Sequence, residues 1–302
     1  MLYLFLAIIA ASTYSILFKL FACREIDSLQ AIAFNYLTGA VLGVLFSLGT
    51  LSEGVVLRGT EWGASVVMGV MFLAAFVLMA RSTARVGVSV TTVAARVALV
   101  IPVVCSYLML PNQTEPRWGA IVIILLALVM VIWQQKPQQA TTQQKRSSVS
   151  TFLLPLGVFL LFGANNFCLK WTQNGMSSAG GAEQLSAAIF LFAALTGGGY
   201  YLTTTHKPTF SWRAMLGGVA LGVANFFTTY CMILGLAILP SGLFFPVYHV
   251  GIVTLVTMLG VFIFGERLSK MQIVGLGIAI IGIVAFFVFL HYLCTKIMSA
   301  VA

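Results

Sequence analysis

Gln134–Ser150 reads QQKPQQATTQQKRSSVS, a polar run of Gln, Thr, Ser and basic residues with no apolar stripe. This composition is typical of a solvated linker. The sequence on either side is almost entirely apolar, and the whole chain is 60% hydrophobic and 8% charged, with a mean hydropathy of +1.04. Soluble globular domains carry about 25% charged residues. The sequence therefore predicts an integral membrane protein divided by a polar linker.

Ten apolar runs flank this linker, five on each side. A helix needs about 20 apolar residues to cross the bilayer core, and these runs are continuously apolar rather than alternating, which favours helices over β-barrel strands. The runs lie at about 2–22, 30–49, 63–82, 87–110 and 117–133, and then at 151–171, 184–203, 214–236, 240–264 and 272–293. We predict an all-α membrane protein with ten transmembrane helices.

The two halves of the chain resemble each other at a nearly constant spacing. FKLF at Phe18–Phe21 returns as LKWT at Leu169–Thr172, so that Lys19 and Lys170 are 151 residues apart. Three other pairs match at offsets of 153 or 154 residues: Gln30 with Gln184, Gly43 with Gly197, and Arg96 with His249. This pattern predicts two five-helix repeats, at 1–133 and 151–302, joined by a linker at 134–150. Because five is odd, the second repeat is expected to be inverted in the membrane.

Pairs of glycines four residues apart occur in two of the predicted spans. They are Gly39-xxx-Gly43 in span 2 and Gly218-xxx-Gly222 in span 8. Small residues at this spacing let two membrane helices approach closely. The sequence therefore predicts close helix contacts at both places.

Basic residues lie mainly on one side of the predicted spans. The loops after spans 1, 3, 5, 7 and 9 hold ten Lys and Arg residues, whereas the opposite side holds three, Arg58, Arg117 and Lys296. Cytoplasmic loops carry the excess of Lys and Arg. We therefore predict a multi-pass cell-membrane protein, in the bacterial inner membrane, with a cytoplasmic linker and both termini outside.

The net charge of +9 follows from this loop bias and does not indicate nucleic-acid binding. The five cysteines are scattered singly, with no CxxC or metal-ligand spacing. The sequence contains no HExxH, Walker or nucleophile motif, which makes a membrane enzyme remote. We expect no cofactor, no metal and no catalytic activity.

The stretch Phe262–Ile283, FIFGERLSKMQIVGLGIAIIGI, closes span 9 and opens span 10. Gly265-Glu266, followed by Gln272, Gly275 and Gly282, resembles the C-terminal signature of the ten-span drug/metabolite transporter superfamily, EamA type. The first half departs from this pattern, with Asn112-Gln113 where Gly-Glu is usual. The resemblance implies transport of small metabolites, often amino acids or related compounds, by alternating access.

Arg96 and His249 are the principal candidates for a binding site. Each lies about ten residues into its span, at equivalent places in the two repeats, with Tyr248 beside His249. A charged side chain at mid-bilayer is costly, and nothing near Arg96 in the sequence offers a carboxylate. Arg96 is expected to hold a carboxylate or phosphate, although a structural Arg bonded to neighbouring carbonyls, or a satisfied core His, stays open.

Several other polar residues within the spans are predicted to line the substrate pathway. Lys19 shares a face with Ser15, and Lys170 shares one with Asn166, whereas Asn225 and Thr229 form a polar face in span 8. The lysines lie about one turn from the ends of their spans, where Lys also commonly reaches the headgroups. We expect Lys19 and Lys170 near opposite mouths of one pathway.

These observations predict a secondary transporter of a small anionic or zwitterionic metabolite, such as an amino acid, an organic acid or a phosphorylated compound. The predicted cavity lies between the repeats, and the chain is expected to be a monomer or weak dimer in the lipid bilayer. The alternative is a proton-coupled exporter of cations or drugs, which the absence of an acidic residue from the middle of any predicted span disfavours. A non-transporting membrane sensor or scaffold also stays open.

Overall fold

The computed structural model describes residues 1–24, 26–52, 57–86, 88–110, 116, 118–133, 148–176, 181–204, 210–265, 268–278 and 280–282. The helices are α1 (Leu2–Cys23), α2 (Ser28–Ser52), α3 (Gly59–Arg85), α4 (Val88–Val97), α5 (Val100–Met109), α6 (Trp118–Trp133), α7 (Ser148–Gly175), α8 (Ala182–Thr204), α9 (Trp212–Ile238) and α10 (Ser241–Phe264). A further short apolar helix covers Lys270–Gly282. These described ranges contain no β-strand.

The helices follow the ten apolar runs of the sequence in order. In the described part of the chain, seven helical segments are long and apolar enough to cross a membrane. Three shorter apolar helices, Leu2–Phe18, Trp118–Met130 and Lys270–Gly282, lie at the predicted first, fifth and tenth spans. The all-α membrane class is therefore confirmed. The predicted linker lies mostly outside the described residues, except that α7 already begins at Ser148.

The predicted fourth span is present as Val90–Met109, and a turn at residues 98 and 99 divides it into α4 and α5. Pro102 explains the break, because it has no N–H to donate to the carbonyl of Ala98 and its ring crowds that carbonyl. The Ile101 N–H donates to the carbonyl oxygen of Ala98 instead, at 3.1 Å. The break leaves Arg96 in the last turn of α4, within the span.

Helices of the two halves pack mainly against each other rather than within their own half. α2 packs against α8 and α9, α3 packs against α7 and α8, α1 packs against α9 and α10, and α7 packs against α4 and α5. The counterparts in the two halves are α1 and α7, α2 and α8, and α3 and α9. The contact of α1 with α9 therefore corresponds to the contact of α7 with α3, and that of α2 with α9 corresponds to that of α8 with α3. The contacts therefore have the exchange symmetry that two repeats related by a two-fold axis require.

Both predicted glycine pairs lie where the halves meet. Gly39 and Gly43 face α8, where an added Cβ would collide with the ring of Phe190 and the backbone of Ala187. Neither glycine could carry a side chain without moving one helix away from the other. The prediction of close packing at this pair is confirmed.

The second glycine pair, on α9, faces α2. A Cβ at Gly218 would lie 2.5 Å from the carbonyl oxygen of Ala31, and one at Gly222 would lie 2.6 Å from that of Asn35. These neighbours are backbone atoms of α2, so an added Cβ fits only if α2 and α9 move apart. The prediction of close packing is confirmed here as well.

Equivalent residues of the two halves make equivalent contacts. Gly69 of α3 lies against Phe192 of α8, with 2.7 Å between an added Cβ and the Phe192 Cβ. Gly222 of α9 lies against Thr38 of α2, with 2.6 Å between the corresponding atoms. The glycines are 153 residues apart and their neighbours 154 apart. The offsets that the sequence suggested therefore relate contacts as well as residue types.

One pair of aromatic residues lies on the axis that relates the halves. The rings of Tyr36 and Phe190, 154 residues apart, are in tilted contact with centroids 6.3 Å apart. Their side chains are 0% and 1% exposed. A residue that touches its own counterpart must lie beside the two-fold axis. This contact therefore locates the axis between α2 and α8.

Candidate functional site

Arg96 is held at the C-terminal end of α4 by the break in the fourth span. Its side chain is half-buried, and no hydrogen bond or ion pair joins its guanidinium to another group in the described residues. The carbonyl end of a helix favours a cation, which stabilises the charge in part. An arginine within a membrane span normally pairs with an anion or with backbone carbonyls. The five N–H donors of Arg96 are therefore available to a ligand.

His249 lies on α10, three residues after Pro246. Its side chain is 3% exposed, and neither Nδ1 nor Nε2 has a hydrogen-bond partner. A neutral imidazole has one donor and one acceptor, and leaving both unpaired in the interior costs free energy. Among the described residues, both nitrogens of His249 are therefore without a partner and can bind a ligand.

Tyr248 is next to His249 and 5% exposed. Its ring stacks on Phe244 at a centroid distance of 5.7 Å and meets the His249 ring edge-on at 5.2 Å. These contacts fix the orientation of both side chains on α10. The Tyr248 ring is thus held in place by Phe244, and the His249 ring by Tyr248.

The structure places Arg96 near Tyr248 and His249. The positive charge of Arg96 is close enough to act on both of the other side chains. Tyr14 of α1 is also close enough to act electrostatically on the Tyr248 hydroxyl. Since Arg96 and His249 are counterparts in the two repeats, this group lies near the same two-fold axis as Tyr36.

Donors dominate this group chemically. The guanidinium can give two parallel hydrogen bonds to a carboxylate or phosphate, and the imidazole and phenol add one donor each. The described residues contain no cluster of three His, Cys, Asp or Glu side chains that could hold a metal ion. The arrangement is suited to an oxyanion rather than to a cation.

Lys170 occupies a different environment from the one expected at a pathway mouth. Its side chain is 4% exposed, and its ammonium donates to the carbonyl oxygen of Leu236 at 2.7 Å and to Gln173 Oε1 at 2.9 Å. Leu236 belongs to the last turn of α9, where unpaired carbonyls and the helix dipole both favour a cation. These contacts favour a structural role, in which Lys170 joins α7 to the end of α9.

The other polar residues predicted on α1 and α7 are less clearly placed. The side chain of Lys19 lies outside the described part of the structure. Ser15 is half-buried and donates to the carbonyl of Ala11 at 2.8 Å, a bond within its own helix. Asn166 is half-buried, whereas the neighbouring Asn165 is 7% exposed and its Oδ1 has no partner. The buried amide on this helix is therefore one residue earlier than predicted.

The predicted polar face of span 8 is buried between helices. Asn225 is 5% exposed and its Nδ2 donates to Asn35 Oδ1 on α2 at 3.2 Å. Thr229, one turn later, is 3% exposed. A hydrogen bond between amides holds α2 and α9 together across the interface between the halves. Asn225 is thus joined to the other half rather than to the group around Arg96.

One partly buried polar pair was missed from the sequence. Tyr230 of α9 donates to Glu183 Oε1, in the first turn of α8, at 2.6 Å. The sequence placed Glu183 at the end of a span and gave no sign of a partner 47 residues away. A tyrosine one residue beyond the predicted polar face of span 8 was the available signal.

Three comparisons with known proteins bear on this arrangement. Residues 1–134 match the model of the EamA-like transporter family. An uncharacterized protein of Haemophilus influenzae is 26% identical over 284 residues, which cover 90% of this chain and 93% of that protein. A crystal structure superposes with a TM-score of 0.75 at 14% identity, over 96% of each chain, and supports the fold alone.

The family match falls on the first half of the chain, whereas the residues that suggested the family lie in the second half. The two indications are therefore independent of each other. EamA-like proteins are a family of transporters, which agrees with the apolar helices described above. The resemblance to the drug/metabolite transporter superfamily is thus confirmed, and residues 1–134 carry the pattern of the EamA-like transporter family.

Proposed function

We propose that the protein is a secondary transporter of a small metabolite with a negatively charged group. Arg96 binds this group, and His249 and Tyr248 complete the site from the other repeat. The observation that carries the proposal is that, among the described residues, no hydrogen bond or ion pair joins the Arg96 guanidinium to another group and neither nitrogen of the nearby His249 has a partner. A carboxylate or phosphate supplies the charge and the acceptor atoms that these groups lack.

The two-fold exchange of helix contacts supports transport by alternating access. In inverted repeats, the substrate binds near the midplane where the repeats meet, and rocking of one half against the other opens each side in turn. Arg96 and His249 are counterparts on this axis, so each half contributes one of them.

The charge distribution favours an anion or zwitterion over a cation. Among the described acidic residues, Asp27 precedes α2, and Glu61 and Glu183 lie in the first turns of α3 and α8. None of these three is near the middle of a span. A proton-coupled exporter of cations generally needs a carboxylate there, to bind the cation and the proton in turn.

The location proposed for the protein is the cell membrane, with the linker in the cytoplasm and both termini outside. The excess of Lys and Arg in alternate loops supports this orientation. The inverted-repeat arrangement does not depend on the orientation, since reversing it exchanges only the two faces.

The direct test is binding by Arg96 variants of the purified protein. A thermal-shift screen of amino acids, organic acids, phosphorylated metabolites and lipophilic cations first selects a ligand. Arg96→Gln is then expected to weaken its binding by about 10- to 100-fold, since a hydrogen bond to a charged group contributes about 1.5–3 kcal/mol. Arg96→Lys restores part of this affinity, because a point charge cannot make both bonds of the guanidinium.

Arg81→Gln is the matched control. Arg81 donates to the Tyr200 hydroxyl at 2.9 Å at the exposed end of α3, so its loss leaves the affinity unchanged. If Arg96→Gln binds the ligand as the unaltered protein does but aggregates, Arg96 is a structural residue and the anion site is wrong. Selection of lipophilic cations alone in the screen also contradicts the proposal.

A further inference from the structure

The first turn of α8 holds a carboxylate that is only partly used by the protein. Glu183 Oε1 accepts a hydrogen bond from Tyr230, but Oε2 is buried and has no partner. Glu61 also lies in the first turn of its helix, α3, and accepts the Arg58 N–H at 2.7 Å in a capping box. Glu61 therefore caps its helix, whereas Glu183 is turned toward α9.

Ser186 adds a second unpaired oxygen next to Glu183. It is 0% exposed and its Oγ has no partner. Residues three apart lie on one face of a helix, so Ser186 follows Glu183 on the stripe that continues to Phe190. Phe190 meets Phe226 of α9 at 6.1 Å, and Glu183 meets Tyr230 one turn beyond it. Ser186 therefore lies between these two contacts along α8.

Aromatic rings border the same place. Tyr230 and Phe226 are stacked at 6.0 Å with an interplanar angle of 4°, and Phe46 of α2 meets them at 6.0 Å and 5.4 Å. The faces of such rings attract cations. Glu183 itself is half-buried and lies at the start of α8, so the carboxylate is near the end of the helix rather than at its middle.

We propose that Glu183, Ser186 and Tyr230 form a binding site for an organic ammonium group. The ammonium donates to Glu183 Oε2 and Ser186 Oγ, which satisfies both unpaired oxygens, and the nearby rings stabilise its charge. Two acceptors and an aromatic border suit an alkylammonium better than a metal cation, which requires more oxygen ligands. This site does not depend on the anion site at Arg96, because it uses other residues, on α8 and α9.

The test measures binding of n-butylammonium to the full-length purified protein by thermal shift at constant ionic strength. Tetramethylammonium, which has no N–H, and sodium serve as comparison cations. We expect n-butylammonium alone to stabilise the protein. Glu183→Gln, which removes the negative charge, is expected to weaken n-butylammonium binding at least tenfold. Ser186→Ala, which removes a single acceptor, is expected to weaken it about threefold. Glu61→Gln, which preserves the capping box, is expected to bind normally.

Equal affinity in Glu183→Gln and in the unaltered protein overturns the site, as does an equal loss in Glu61→Gln. Equal stabilisation by sodium overturns the ammonium assignment, because the oxygens then bind any small cation. If Glu183→Gln fails to fold, Ser186→Ala and Tyr230→Phe decide the question. Unchanged affinity in both of these variants refutes the proposal.

Discussion

Gly69→Ala and Gly222→Ala test whether the two halves are packed by equivalent contacts. The added methyl of Gly69→Ala would lie 2.7 Å from the Phe192 Cβ, and that of Gly222→Ala would lie 2.6 Å from the Asn35 carbonyl oxygen and the Thr38 Cβ. Carbon atoms at optimal separation are about 3.5–4.0 Å apart. Each substitution therefore forces its helix and the facing helix to separate by roughly 1 Å.

The expected cost is about 1–3 kcal/mol in the free energy of unfolding for each variant, the range for overpacking a filled core. Alanine also stabilises a helix interior by about 1 kcal/mol relative to glycine, which offsets part of this cost. Gly198→Ala measures this gain in helix stability without a steric cost, because an added Cβ at Gly198 of α8 has no atom within 4 Å. The difference between each contact variant and this control isolates the steric term.

The assay is unfolding by SDS in mixed micelles, followed by tryptophan fluorescence. We expect Gly198→Ala to be as stable as the unaltered protein or more so, and both contact variants to be less stable by similar amounts. Stability of either contact variant equal to that of Gly198→Ala would refute the close contact at that site. A large loss in one repeat and none in the other would refute their equivalence.

Two further predictions concern Lys170 and the orientation of the chain. Lys170→Met leaves the carbonyl at the end of α9 unpaired and is expected to lower the free energy of unfolding by about 1.5–3 kcal/mol without changing ligand affinity; weaker binding at unaltered stability would restore Lys170 to the pathway. A cysteine at Thr141, in the linker, is expected to resist an impermeant thiol reagent in intact cells, whereas one at Ser299 reacts; the reverse labelling pattern would show the opposite orientation.

The order and approximate length of the helices could be predicted from the sequence. A bilayer leaves an apolar run of 20 residues no stable form but a helix, so composition alone defines the spans. The glycine pairs were equally readable, because a helix can approach another closely only where side chains are absent. The break after Arg96 was missed, although Pro102 signalled it, because the run of apolar residues continues through it.

Side-chain partners between distant helices could not be predicted. Lys170 binds the backbone carbonyl of Leu236, and a carbonyl carries no signature in the sequence. Asn225 was recognised as polar, but only the packing of α9 on α2 pairs it with Asn35. Arg96 and His249 are the exception, since the repeat offset predicted that they would be related before any contact was known.

The closeness of Arg96 to its own counterpart bears on how such a site can arise. In a dimer of two identical five-helix units, the position facing Arg96 across the axis would hold another arginine, and two like charges would meet in a medium of low dielectric. Joining the units in one gene frees the two positions to mutate separately, and here one of them is His249. The fused chain can therefore bind a molecule whose two ends differ. Two identical units can bind such a molecule only if their arrangement becomes asymmetric.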